Sequence, residues 1–263
     1  MNRKTLPLLL AAMLVSSSSF AAMPMVTDDT GTQGKERIQV EVGMERQRQT
    51  TDNEGISTKT TAWLPSATFT YGLDDRIDLI VGAPWTWQKD ESAGTSTTRN
   101  GIGDLALQIK WRLIEMEDGR FSFAVKPGVT LPTGNEHEGF GNGKITAGAL
   151  LIATHKGALG AVHLNMGFTH NSYRLADQEA ANRKDIWHTS AAGELNVAGN
   201  LRAVADCGLD TNRKKENGKH PVYLLGGMIY SPSGRIDLDC GIKGGLNDAQ
   251  PATSLLAGMT MHF

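Results

Sequence analysis

The chain has 263 residues, 40% of them hydrophobic, and a formal net charge of −2. That length suits one domain, and the absence of a basic tail or Lys/Arg cluster argues against nucleic acid as a partner. Past residue 21 no run approaches the ~20 apolar residues of a transmembrane helix, which excludes a helical membrane bundle.

Met1 to Ala21 reads as a cleaved signal peptide. Arg3 and Lys4 form the positive n-region, Leu6–Val15 the short apolar h-region, and Ser19-Phe20-Ala21 the small-residue cleavage site. The mature chain keeps 24 basic and 28 acidic residues, a charge of about −4. Residues 22–34 are polar, with Asp28, Asp29, Gly31 and Gly34, and are expected to be a flexible periplasmic leader.

From residue 35 on, period-2 alternation recurs about a dozen times. The first run places Ile38, Val40, Val42 and Met44 on one face. The second carries Trp63, Ala67, Phe69 and Tyr71 and ends in the turn Gly72-Leu73-Asp74-Asp75. The third runs Ile77, Leu79, Val81, Ala83, Trp85, Trp87. The fourth is the cleanest: Leu105, Leu107, Ile109, Trp111 and Leu113 alternate with Asp104, Ala106, Gln108, Lys110 and Arg112. The fifth sets Phe121, Phe123, Val125, Val129 and Leu131 against Ser122, Ala124, Lys126 and Thr130. Runs six to twelve start near Lys144, Leu159, Ile186, Leu201, Val222, Arg235 and Ala252, and the last ends on Phe263. Runs six and ten are apolar on both faces, which leaves their facing open.

The connections after even runs are short. Those after odd runs are longer and polar, such as Lys89–Asn100 and Asn171–Lys184. Outer-membrane barrels have this rhythm of tight periplasmic turns and longer outer loops. An open sheet edge in lipid would leave backbone groups unsatisfied, so the sheet must close. The fold class is therefore all-β: a closed antiparallel transmembrane β-barrel of about twelve strands, residues 35–263, in a bacterial outer membrane.

All five tryptophans fall on the outward parity. Trp85, Trp87 and Trp187 sit near the outer rim; Tyr71, Trp111, Phe121 and Phe263 sit near the periplasmic rim, as two interface girdles. The opposite parity should line the lumen with Asp78, Asp104, Gln108, Lys110, Arg112, Lys126, His163, Asn165, His188, Glu194, Asn196, Arg202, Asp206, Asp237, Asp239 and Lys243. A salt-bridged wall and a polar solute path both fit this set. Lys110 and Lys126 are expected to be cross-strand neighbours. Like charges there are destabilising unless a carboxylate such as Asp206 or Asp78, or an anionic solute, compensates.

Catalytic and metal signals are weak. His188 and Ser190 share a face with Asn196, and a Ser/His/Asn constellation occurs in outer-membrane phospholipases. Residues two apart lie roughly 7 Å from each other, a spacing that argues against a nucleophile–base bond. Glu136-His137-Glu138 has no ligand spacing, and Gly139–Lys144 lacks the residues of a phosphate loop. Cys207 and Cys240 lie two strands apart, about 9.6 Å, too far for a disulfide, and read as small hydrophobes. No cofactor or metal is expected.

The segments Gly101-Ile102-Gly103-Asp104 and Leu131-Pro132-Thr133-Gly134 resemble the GxGD and LPTG motifs of the meta-pathway phenol-degradation family. So do Gly72–Leu79, Gly226–Ser231 and Arg235–Gly241, in the same order. The resemblance covers most of the mature chain. It implies an outer-membrane transporter-like barrel for small, often aromatic or hydrophobic compounds. Gly258, Met261 and Phe263 resemble the signal read by the barrel-assembly machinery. The resulting expectation is a passive channel that meets membrane lipid, a small-molecule solute and that machinery. A structural or adhesive barrel with a blocked lumen is the alternative, and a lipid-modifying barrel enzyme a second. The sequence leaves the oligomeric state open.

Overall fold

The computed structural model describes residues 23–53 and 56–263; the signal peptide expected over residues 1–21 lies outside them. The elements in chain order are β1 Ile38–Asn53, β2 Ile56–Asp74, β3 Ile77–Ser92, β4 Thr95–Ile102, β5 Leu105–Glu115, β6 Phe121–Leu131, β7 Thr146–Lys156, β8 Gly160–His170, helix α1 Ala176–Ala181, β9 Asp185–Ala198, β10 Leu201–Asp210, β11 Val222–Ser233, β12 Ile236–Gly245 and β13 Thr253–His262. All strand pairs are antiparallel. The ring closes where β1 meets β13, from Gln39↔His262 to Arg48↔Thr253.

Thirteen strands make twelve staves. The part of β3 nearest the long loops pairs with β4, from Trp85↔Ile102 to Ser92↔Thr95. Its other part pairs with β5, from Ile77↔Trp111 to Gly82↔Ala106. β4 and β5 are thus two halves of one stave, interrupted at Gly103-Asp104. β4 pairs only with β3, and its edge is tolerable because Thr95-Ser96-Thr97-Thr98-Arg99-Asn100 is polar and, apart from the half-buried Arg99, exposed.

Long loops after runs one and three are not what forms. β1 and β2 stay paired to Asn53↔Ile56, and β3 and β4 to Ser92↔Thr95. The polar Thr, Ser and Gln of these stretches are good strand residues once a neighbour is present. Thr60 Oγ1 and Gln88 Nε2 donate to Asp90 at 2.7 and 2.8 Å, and Arg99 pairs with Asp90 at 3.1 Å. The β3–β4 turn has φ of 47° at Ala93 and 78° at Gly94, the two positive angles of a type I′ hairpin turn. The longer connections at this end are 132–145, 171–184, 211–221 and 246–252.

The outer face carries the large apolar side chains, among them Val81, Ile109, Leu164, Leu195, Met228 and Ile242, all exposed. No helix among the described residues is long and apolar enough to cross a membrane; strands do the crossing. Cys207 and Cys240 are free thiols on this exposed face.

The leader expected to be flexible lies inside the barrel. Met25, Thr27, Asp28 and Thr30 are each at most 4% exposed. This explains the doubly apolar run of β11. In β11 the inward Tyr223, Leu225 and Ile229 form an apolar patch with Val204 and Leu256, against which Met23, Met25 and Val26 pack. In β7 the inward Leu150 and Ile152 cluster with Ala124.

Candidate functional site

The site is the lumen, and the leader defines its lower half, towards the short turns. Residues 32–36 enter beside the β2–β3 turn. Thr32 Oγ1 donates to the Asp75 carbonyl at 2.8 Å, the Gln33 amide to the Asp78 carboxylate at 3.1 Å, and the Glu36 amide to the Gly72 carbonyl at 2.8 Å. Deeper in, Thr30 bonds Thr154 and Ser122. Asp28 exchanges a pair of bonds with the Asn165 side chain at 2.7 and 2.8 Å. The Asp206 carboxylate accepts the Val26 and Thr27 amides, the Thr27 hydroxyl and the Tyr223 hydroxyl, all at 2.7–2.9 Å.

Asp28 also answers the lysine problem. Gln108↔Gly128 and Trp111↔Val125 place Lys110 opposite Lys126 in register. One Asp28 carboxylate oxygen takes Lys110 Nζ at 2.8 Å, and the other takes Lys126 Nζ. The compensating carboxylate comes from the leader, not from Asp206 or Asp78, which are engaged with leader amides. Burial acts to raise the Asp28 pKa, but the two ammonium groups outweigh it and hold the group below its ordinary 3.8.

A second charged belt crosses the strands near the short turns. Glu194 bonds His163 at 3.1 Å and Arg202 at 2.8 Å. Arg202 reaches Asp237 at 3.5 Å, which in turn lies 3.5 Å from His262. Towards the long-loop end, Lys243 pairs with Glu45 at 2.8 Å. Arg112 donates to the Asp75 carbonyl at 3.0 Å and lies 3.4 Å from Glu115. Asp239 is buried against Gly258, whose missing Cβ makes room for it. Asn196 is exposed near the β9–β10 turn.

Above the leader lies a cavity of about 180 Å³. Its lining mixes apolar or flat positions, Ala106, Gly128, Gly148, Leu150, Gly167 and Phe140, with polar ones, Gln108, Lys126, Asn171, His188, Asp210 and Arg213; Gln108 is the register partner of Gly128, and His188 of Gly167. Gln108 Oε1 and Arg213 Nε are buried there without a hydrogen-bond partner.

Sequence reasoning missed the roof of this cavity. The 132–145 connection was read as an outer loop, yet it folds inward and buries Phe140. The GxGD and LPTG segments hold it there. Asp104 accepts the Gly134 amide at 3.0 Å and the Asn142 amide at 2.9 Å, and Thr133 Oγ1 donates to the Gly103 carbonyl at 3.0 Å. A Cβ on Gly101 would sit 2.8 Å from the Phe140 ring. An aromatic isolated among glycines was the available signal.

The spacing argument against His188 and Ser190 fails. The long imidazole leans along β9 and brings Nε2 to 3.0 Å from Ser190 Oγ, while Nδ1 lies 2.9 Å from Asp210 Oδ1. Ser190 is nevertheless buried and does not line the cavity. β9 is paired on both sides, so its amides are engaged in the sheet, away from a developing oxyanion.

Of the interface aromatics, Trp85, Trp111, Trp187, Phe121 and Phe263 are exposed, and Tyr71 and Trp87 are half-buried. Trp63 and Trp87 are cross-strand partners, and Phe168 and Trp187 have ring centroids 4.8 Å apart.

The COG4313 outer membrane channel from Pseudomonas putida F1 superposes with a TM-score of 0.69 at 13% identity, covering 89% of this chain and 98% of that one. The NanC porin gives 0.53 at 10% identity, covering 85% and 98%. The translocator domain of the autotransporter NalP from Neisseria meningitidis gives 0.50 at 9%, covering 88% and 89%. At these identities the likeness is one of fold. No curated protein matches the chain. Residues 21–263 match the model of one family, and this outer-membrane β-barrel belongs to it: the family described as "Putative MetA-pathway of phenol degradation".

Proposed function

We propose that the protein is a passive outer-membrane channel for small molecules, aromatic or hydrophobic compounds among them. The observation that carries this is the mixed lining of the cavity, where apolar and glycine-flattened positions stand beside amide, imidazole and guanidinium groups. Such a lining suits a small ring with a polar substituent. Family membership and the likeness in fold to the COG4313 outer membrane channel support the reading. A twelve-stave barrel is wide enough to leave room inside once its lower half is cleared. Lys110, Lys126, Arg112, Arg202, Lys243 and the carboxylates of Asp78, Asp104, Asp206, Asp237 and Asp239, with Glu194 and Gln108, form the polar surface of the path. Proteoliposomes loaded with the mature protein should take up phenol or benzoate faster than sugars of similar mass; equal exclusion of all of them would refute the proposal.

The leader's occupation of the lumen favours a second reading, a blocked structural barrel. The leader is held by hydrogen bonds, one ion-pair cluster and the packing of Met23, Met25 and Val26 on the β11 patch; the polar contacts are ones a solute can replace, which is why the channel reading is preferred. Signal-peptide removal near Ala21 would leave the leader's free end inside the lumen. Gly258, Met261 and Phe263 are assigned to recognition by the barrel-assembly machinery, supported by the 70% exposure of Phe263 at the closing strand.

A further inference from the structure

We infer that the facing Lys110–Lys126 pair is a binding site for the carboxylate of a small organic acid, and that Asp28 of the leader occupies it as an internal competitor. The inference rests on the channel reading above and names its ligand chemistry and its regulation. Four observations carry it. The two ammonium groups are opposite each other on paired strands, so the wall cannot move them apart, and an anion must sit between them. Asp28 gives each lysine one oxygen, as a free carboxylate would. Asp28 belongs to a segment outside the wall, attached on either side through hydrogen bonds, of the Thr27 amide to the Asp206 carboxylate and of the Thr30 amide to the Thr154 hydroxyl. Lys126 lines the cavity, so an acid entering from the long-loop end meets it directly, with its ring against Leu150, Gly128 and Gly148.

The exchange replaces one carboxylate by another. Both lysines keep a counter-ion throughout, and the Asp206 carboxylate, which loses the Val26 and Thr27 donors, keeps the Tyr223 hydroxyl and gains the water that replaces the leader. The displaced Asp28 goes to water with the leader. A neutral ring compound of the same size lacks the group that competes, and should leave the leader in place.

The test is single-channel recording of the refolded mature protein with benzoate and with benzyl alcohol. Benzoate should raise the open probability in a concentration-dependent way, and benzyl alcohol should not. Asp28→Asn should shift the equilibrium roughly a hundredfold toward open without any solute, the lower end of the effect of leaving a buried charge unpaired. Lys110→Gln with Lys126→Gln should abolish the benzoate response. If that pair does not fold, Thr30→Cys with Ser122→Cys supplies a second route, because a disulfide there tethers the leader. Opening by benzoate should then need reductant. Equal responses to the two solutes, or opening of the oxidised tethered protein, would overturn the inference while leaving a conducting channel. Silence of every variant under every condition would overturn the channel reading as well.

Discussion

Asp28 is the residue on which the closed state turns. Its folded pKa lies below 3.8, so its contribution is fully present above that value and is lost as pH falls through the depressed folded value. The leader should therefore stay docked from neutral pH down to 3.8 and release only in stronger acid. Labelling of a Thr30→Cys thiol checks this: protection across the mild range and exposure below it is the expected pattern, and exposure near neutrality would be wrong for this ion pair. Ser190 has a different expectation. With its amides tied into the sheet and no opening to the cavity, Ser190→Ala should leave conductance unchanged, and the parent should not turn over a chromogenic ester. Measured hydrolysis lost in Ser190→Ala would revive the enzyme alternative. The facing of Lys110 and Lys126 was legible from parity. Their counter-ion was not, because Asp28 lies 82 and 98 residues away and no periodicity connects them. The His188–Ser190 contact was missed because Cα spacing was used where side-chain reach decided.

Strands were legible as elements because lipid on one side and a polar lumen on the other enforce strict alternation. The alternation weakens in β7 and β11, where the lumen side is apolar against the cavity and the leader. Their facing became readable only with those partners in place. The polar outer stretches were misread as loops, since composition alone cannot separate a hydrated hairpin from a coil. The roof makes the clearest prediction at this scale. Gly101→Leu would drive a side chain into the Phe140 ring, which already lies 2.8 Å from the position of a Cβ. The 132–145 connection should swing outward, and the mutant barrel should show lower solute selectivity with little change in heat stability. Unchanged selectivity would mean that the roof does not shape the path.

The whole molecule is a closed ring with its apolar surface outside, and that inversion was visible in the sequence once the runs were counted and closure was required. What parity could not reveal is the filling of the ring, because a short polar leader carries no pattern that distinguishes a free tail from a plug. The inversion itself is testable. Leu164 is 54% exposed at the middle of β8 and faces lipid. Leu164→Arg should destabilise the folded barrel by about 2–4 kcal/mol in bilayer unfolding measurements, the cost of a cation near the midplane. A soluble protein would accept that change at an exposed site with almost no cost.

The measurement that bears most directly on the account is the conductance of the mature barrel with and without residues 23–34. The account predicts small or rare openings with the leader present and a larger, steady conductance once it is deleted. A deleted barrel that is folded, inserted and still silent would contradict it.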